Sequence, residues 1–202
     1  MIAGPGALRS LAVLATAACN LNCACCRRGG GARRRLRWAD CRAALDWALR
    51  SAGPELEIVF TGGEPLLAEG LLRRAVRYVE SRAEPGWTPS FALQTNGTLL
   101  GEDQLDFLAA HRFEVRVSCD GHPAAQRARG RGTWRQVTAA LRLALRREPW
   151  RRTLVAAVTV TPGNAHLLAA SVNRLVGLGV PRIDLTPDCT AGGRRFAEWG
   201  PV

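Results

Sequence analysis

Lysine is missing from this chain: all 28 of its Lys and Arg residues are arginine. Set against 17 acids, they leave a formal charge of +11. An excess of that size attracts nucleic acid or an acidic partner. The arginines are spread along the chain, apart from the local run Arg33-Arg34-Arg35-Leu36-Arg37, and no nucleic-acid-binding motif accompanies them. Arginine in place of lysine, with abundant alanine and glycine, reads better as compositional bias. A long apolar run is missing too. None approaches the ~18 residues that span a bilayer, so no membrane partner is expected. No repeat, long linker or second domain is visible. The three histidines, His111, His122 and His166, show no paired metal spacing and read as surface residues.

Cysteine is the exception to this sparseness. Four of the seven cysteines fall in Cys19-Asn20-Leu21-Asn22-Cys23-Ala24-Cys25-Cys26. Adjacent Cys25 and Cys26 would bridge poorly, so a disulfide framework is not the reading. A reducing, cytoplasmic setting is expected. Leu8 to Cys19 also has features of a lipoprotein signal, with Arg9, a short apolar core and small residues before a cysteine. Its charged region is thin, its core is short, and it leaves the following cysteines unexplained. Cys19, Cys23 and Cys26 are separated by three and then two residues. A tight loop with that spacing can turn three sulfurs toward one point. Thiolates are soft ligands, so an iron–sulfur cluster and zinc are both natural occupants. A structural zinc or an electron-transfer cluster takes four protein ligands. Three ligands leave a metal position open for a substrate or cofactor. Cys25 is a spare thiol beside Cys26. Cys41 and Cys189 stand apart and are expected to be unliganded.

The remaining chain alternates strand and helix about six times. Strands are expected at Leu8–Ala15, around Ile58-Val59-Phe60, and at Ser90–Thr95, Glu114–Cys119, Thr153–Thr161 and Arg182–Thr186. Helices are expected at Trp38–Ser51, stopped by Gly53-Pro54, and at Leu71–Ala83, Asp103–His111, Thr133–Arg147 and Ala165–Leu178. Asn164 is the expected cap of the last and Gly179 its end. Arg27–Gly31 reads as a flexible, basic continuation of the cysteine loop. This order argues for an α/β fold with parallel strands and right-handed crossovers. The strand ends are rich in glycine, proline, asparagine and acids, and parallel folds carry their sites there. Gln94 and Asn96 share a face. So do Arg116, Ser118 and Asp120, and Asp184, Thr186 and Asp188. Polar residues at period two suggest a polar lumen. The structural alternative, that end residues simply face water, suits Arg116 and Asp188. Cys119, of opposite parity, is expected to pack toward the helices.

Five ordered motifs resemble those of the radical S-adenosylmethionine (radical SAM) enzymes. Cys19-Asn20-Leu21-Asn22-Cys23-Ala24-Cys25-Cys26 resembles the C-x-x-x-C-x-x-C loop after the first strand. Thr61-Gly62-Gly63-Glu64-Pro65 resembles the GGEP segment after the second. Gln94-Thr95-Asn96-Gly97 is similar to the TNG end of the third strand, and Ser118-Cys119-Asp120-Gly121 to the S-x-D-G end of the fourth. Arg129-Gly130-Arg131-Gly132-Thr133-Trp134 resembles the R-G-x-G-T/S-F segment beyond it. The last three suggest the branch of sulfatase maturases and peptide-modifying enzymes.

The resemblance implies a partial (β/α)6 barrel over residues 1–202, a single radical SAM core domain, with 187–202 a short tail and the C-terminus a candidate truncation. It implies a [4Fe–4S] cluster on Cys19, Cys23 and Cys26. The free iron would chelate SAM, whose reductive cleavage yields a 5′-deoxyadenosyl radical; that chemistry belongs to the cofactors. Gly62, Gly63 and Glu64 are implied contacts of the SAM methionine. Ser118 and Arg129 are candidates for its ribose or carboxylate, and arginine matches a carboxylate bidentately. Asn96 and Gln94 are implied to reach SAM or substrate, Val160 to pack on adenine, and Asn164 to bond the nucleoside. Gly97, Gly121 and Asn164 equally suit ordinary turn and cap roles, and Asp120 either orients its loop or borders the substrate. Glu64 is harder to explain as structure alone. The expected partners are a precursor peptide or protein substrate and an external electron donor.

Two departures stand out. Cys25 replaces the aromatic residue usual before the third cysteine, and the cysteine-rich C-terminal extension of many relatives is not in this sequence. The expected function is a radical SAM enzyme acting on a peptide or protein side chain. The alternatives are an activase or small-metabolite enzyme on the same core, a non-catalytic zinc- or nucleic-acid-binding module, and a degenerate or truncated member.

Overall fold

A computed structural model of the chain describes residues 8–26, 34–83 and 86–188. Six parallel strands follow sequence order within one sheet: β1 (Leu8–Thr16), β2 (Ala52–Gly62), β3 (Ser90–Thr95), β4 (Glu114–Ser118), β5 (Val155–Val160) and β6 (Arg182–Pro187). The helices are α1 (Trp38–Ser51), α2 (Glu69–Glu80), α3 (Glu102–Ala110), α4 (Pro123–Gln126), α5 (Thr133–Ala144), α6 (Glu148–Thr153) and α7 (Leu168–Gly177). The α/β class with parallel strands is therefore as the alternation predicts. Among the described residues no helix is long and apolar enough to cross a membrane. Arg27–Gly31, Cys189 and most of the 187–202 tail lie outside the described residues.

The chain divides into two compact units. The first comprises Met1–Asn20, Gly30–Gln94 and Phe107–Glu114; the second comprises Leu21–Gly29, Thr95–Asp106 and Val115–Val202. In the first, β2 pairs with both β1 and β3, with Leu11 opposite Ile58, Val13 opposite Phe60, and Val59 opposite Ala92. Helix α1 buries Cys41, Leu45 and Ala48, and α2 buries Leu72, Ala75, Val76 and Val79. Those residues recur at three and four positions, which is what one apolar stripe of a helix requires. Phe113 stacks on Phe91 at 5.3 Å and on Phe60 at 6.0 Å between centroids. Each fully buried side chain of this size contributes about 1.5–3 kcal/mol.

In the second unit, β5 pairs with β4 and β6, placing Ser118 opposite Ala157 and Ala157 opposite Asp184. Val115 and Val117 on one face of β4, and Cys119 just beyond its end, are fully buried. Helix α5 contributes Val137, Leu141 and Ala144, all fully buried. Two short helices escape the periodicity reading, α4 and α6. Each has proline in its first turn, where a missing N–H costs nothing. Neither is long enough to show a repeat, and α6 is anchored by the fully buried Trp150. The residues expected to begin the last helix, Ala165–Leu167, form a 3-10 turn ahead of α7. Gly53-Pro54, expected as a helix stop, lies inside β2, which begins one residue after α1 ends.

Candidate functional site

The first unit carries the entrance to the cysteine loop. As β1 ends, Gly63 donates its N–H to the Thr16 carbonyl at 2.7 Å, and Glu64 donates to that of Ala18 at 2.8 Å. These two bonds lash the residues just before Cys19 to the end of β2. The lashing requires the two glycines. A Cβ on Gly63 would stand 2.2 Å from the Ala18 oxygen, and one on Gly62, at φ +146°, would stand 2.4 Å from that of Thr16. The close approach they permit is thus to their own chain, a reason that the sequence does not reveal. Thr16 strengthens the turn, its Oγ1 accepting from the Ala18 N–H at 3.0 Å. Cys19 itself is exposed.

Glu64 is fully buried. Its Oε1 accepts from the Leu66 N–H at 3.1 Å, capping the 3-10 turn Pro65–Ala68. This side chain therefore has a structural duty where none was expected. A cap of this kind is worth about 1 kcal/mol.

The second unit carries the rest of the loop. Ala24 donates to the Ala128 carbonyl at 2.7 Å, the Cys23 thiol reaches the Arg129 carbonyl at 3.6 Å, and Cys26 N–H closes a turn onto Cys23 at 3.0 Å. Cys23 and Cys25 are half-buried and Cys26 is exposed. Burial pushes the Cys25 thiol up; the Arg129 charge works against that shift, and Asp120 adds to it. None of these cysteines is in a disulfide. Among the described residues no three His, Cys, Asp or Glu side chains meet as a site for a single metal ion. A cluster makes a different demand, one thiolate on each of several irons rather than all on one. The donor set, three soft thiols in eight residues, fits such a group.

Beside Cys23, whose thiol reaches the Arg129 carbonyl, lies a buried polar cluster. Arg129 donates twice to Asp120, Nε to Oδ2 at 2.8 Å and Nη2 to Oδ1 at 2.7 Å. Its Nη2 also donates to Thr159 Oγ1 at 3.0 Å, and the Thr159 N–H donates to Asp120 Oδ1 at 3.1 Å. The Arg129 and Asp120 side chains are 8% and 3% exposed, so the pair is buried. Burial opposes the guanidinium's charge most strongly; Asp120, helped by the Cys25 and Cys23 thiols, offsets it and leaves the Arg129 pKa raised. Asp120 is held in turn by its own N–H, which donates to Gln126 Oε1 at 2.8 Å.

Most of the other expected contacts lie in this unit. Ser118 is half-buried on the same face of β4 as Arg116. Asn96 is buried, and its Oδ1 accepts from both the N–H and the hydroxyl of Thr98. Gln94, which belongs to the first unit, is exposed near the end of β3. Val160 alternates with Thr159 and shares parity with the buried Ala156 and Val158; it is Thr159 that enters the polar cluster. Asn164 accepts from Thr161 N–H at 2.7 Å and donates to the Thr159 carbonyl at 2.9 Å, so it braces the end of β5 and makes no side-chain cap. Gly121, at φ +73°, would put a Cβ 2.5 Å from the Ser171 carbonyl, a packing reason for glycine. Arg116 and Asp188, read as facing water, do not both do so. Arg116 forms an ion pair with Asp184 at 2.6 Å, and Asp188 is 8% exposed, its N–H donating to Val160. Cys119 is buried as its parity predicts, its thiol pushed up to about 11, foremost by burial.

Residues 13–163 match the family model described as the radical SAM superfamily. The chain belongs to that superfamily. The radical SAM match is accompanied by curated relatives. The serine-type anaerobic sulfatase-maturating enzyme of Klebsiella aerogenes is 33% identical over 144 residues, 68% of this chain and 35% of that protein. The uncharacterized protein MJ0907 of Methanocaldococcus jannaschii is 30% identical over 114 residues, 56% of this chain and 39% of that protein. The radical SAM chain thus spans little more than a third of the length of these relatives. Among solved structures, native anSMEcpe with bound AdoMet superposes with a TM-score of 0.79 at 22% identity, over 89% of this chain and 51% of that one. Streptococcus suis SuiB bound to S-adenosylmethionine superposes with a TM-score of 0.70 at 15% identity, over 92% and 42%. At these identities the two structures speak to the fold.

The interlock of Asp120, Arg129, Gln126 and Thr159 was not expected as a unit. Arg129 and Asp120 are each conspicuous, but nine residues and an intervening helix separate them, and no periodicity links them. An acid just past the end of β4 and an arginine in the turn beyond α4 were the available signal.

Proposed function

We propose that this chain is a radical SAM enzyme, or the radical SAM portion of one, that acts on a side chain of a peptide or protein in the cytoplasm. Its cofactors are a [4Fe–4S] cluster held by Cys19, Cys23 and Cys26, and SAM. When bound, these supply the electron that opens a C–S bond of SAM and the 5′-deoxyadenosyl radical that results. The protein supplies placement. The Gly63 and Glu64 amides position the loop entrance, and the Ala24–Ala128 bond positions its far side. Glu64 offers a buried carboxylate for the SAM ammonium. Arg129, aimed by Asp120, offers a guanidinium edge for the SAM carboxylate, and Ser118 and Asn96 add polar contacts.

The observation that carries this reading is the contrast among the cysteines. Cys41 and Cys119 are buried with both thiols pushed up to about 11, whereas Cys19 and Cys26 stay exposed. A peptide substrate is supported by likeness to the sulfatase-maturating enzymes and to structures such as SuiB bound to precursor peptide SuiA. An external electron donor is the implied partner.

Anaerobic reconstitution with iron and sulfide, followed by reductant and SAM, tests the proposal. The expected result is a brown protein that releases 5′-deoxyadenosine. Cys26→Ala is expected to abolish cluster binding and Cys25→Ala to preserve it. A folded protein that takes up zinc but no iron–sulfur cluster would overturn the reading.

A further inference from the structure

Next to the Asp120–Arg129 pair the second unit contains a cavity of about 480 Å³ that the function above does not use. Gln126, Arg127, Arg131 and Trp134 line it, together with Gly130 and Gly132 at the start of α5. Its size lies within the roughly 300–1,000 Å³ of sites that take small ligands. Gln126 is 1% exposed, and its Oε1 is committed to the Asp120 N–H. That bond settles the orientation of the amide, since a flipped amide would set donor against donor. The Gln126 Nε2 is then a buried donor, and it has no acceptor among the described residues. Such a group is costly unless something supplies the missing oxygen. Arg127 and Arg131 are exposed at the same cavity, and neither has a carboxylate partner among the described residues. Trp134 provides an apolar wall. The 12-residue α5 adds the positive end of its dipole.

We propose that this cavity binds a carboxylate side chain of an acidic polypeptide segment, resting on the peptide-substrate reading above. The carboxylate accepts from Gln126 Nε2 and lies between the Arg127 and Arg131 guanidinium groups. The methylenes leading to it pack on Trp134. A polypeptide source suits the site better than an inorganic ion, because the space exceeds a single anion and one wall is apolar. The site is coupled to the SAM cluster of residues by one chain of bonds. An oxygen on Gln126 Nε2 fixes the amide that holds Asp120, and Asp120 aims Arg129.

The test is fluorescence anisotropy on the cluster-loaded chain, held anaerobically, with a fluorescein-labelled nonapeptide of alternating glycine and glutamate. The expected result is saturable binding that weakens about tenfold or more when glutamine replaces glutamate, the scale of one charge-assisted hydrogen bond. Arg131→Gln and Arg127→Gln are each expected to weaken binding about fivefold or more. Arg142→Gln, an exposed charge in the last turn of α5, serves as the control and is expected to leave binding unchanged. Gln126→Glu keeps the acceptor for Asp120 and removes the donor, so binding should be lost; the two surface arginine variants decide the matter should that variant not fold. Equal binding of the glutamine peptide overturns the proposal. So does an equal effect of Arg142→Gln, which would mean general charge attraction. Displacement of the peptide by equimolar inorganic phosphate also overturns it, assigning the cavity to a free anion. Because binding is read without turnover, a negative result here beside normal 5′-deoxyadenosine release removes this inference alone.

Discussion

Asp120 grips Arg129 through both of its carboxylate oxygens, at 2.7 and 2.8 Å, in a setting where both side chains are almost wholly buried. Removing one partner strands the other. Asp120→Ala is therefore expected to cost about 3–5 kcal/mol in urea unfolding, the usual penalty for an uncompensated buried charge. Pairing it with Arg129→Met should recover much of that loss in stability, while SAM binding stays impaired. Additive losses in the double variant would show that the two residues do not act as a pair.

Gly63 and Gly70 separate close approach from mere flexibility. A Cβ at Gly63 meets the Ala18 carbonyl at 2.2 Å, whereas one at Gly70 meets nothing within 4 Å. Gly63→Ala should destabilise the chain by at least about 2 kcal/mol, within the range for strong steric conflict. Gly70→Ala, in the first turn of α2, should be neutral or stabilise by up to about 1 kcal/mol. Thermal melts of the two variants provide the comparison.

Glu64 has both a cap to maintain and a proposed ammonium to meet. Glu64→Gln keeps an acceptor for the Leu66 N–H, so stability should fall by no more than about 1 kcal/mol. Loss of the charge should weaken SAM binding about tenfold, the scale of one charge-assisted bond. Equilibrium dialysis with labelled SAM reads the second effect. Unchanged affinity would leave Glu64 a cap alone.

Cys41 and Cys119 are held protonated by burial, each thiol raised from 9.0 to about 11. Between those values the unfolded chain has lost protons that the folded chain retains, so stability falls as pH rises. The contribution is whole below pH 9 and is lost on the way to about 11. Urea midpoints measured from pH 8 to 11 should decline, and Cys119→Ala should flatten the decline. At pH 8 a thiol reagent should label Cys19 and Cys26 of the cluster-free chain before Cys41 or Cys119.

Much of the α/β order could be read in advance. β3 and α1 have the bounds that the apolar run and the helical spacing suggest, because β3 buries Phe91-Ala92-Leu93 together and α1 buries one regular face. Leu45, Ala48, Val137 and Leu141 are in the core for the same reason. The short α4 and α6 were not legible, since one turn carries no period. Thr159, whose hydroxyl accepts from Arg129, was not singled out at all, because strand spacing does not name the partner a side chain meets.

The sequence alone determined the chemistry on offer: three soft thiols at a spacing that only a few groups can use, and strand ends populated by small and polar residues. These follow from residue type and short-range order, which survive without a fold. Only tertiary structure decided which residues support which. The glycines of the Gly62-Gly63-Glu64 segment serve Thr16 and Ala18, Glu64 caps Leu66, and Arg129 belongs to Asp120. The orphaned amide of Gln126 is likewise invisible in the chain order. Such pairings bring together groups far apart in sequence, and their strength comes from burial, which no local pattern encodes.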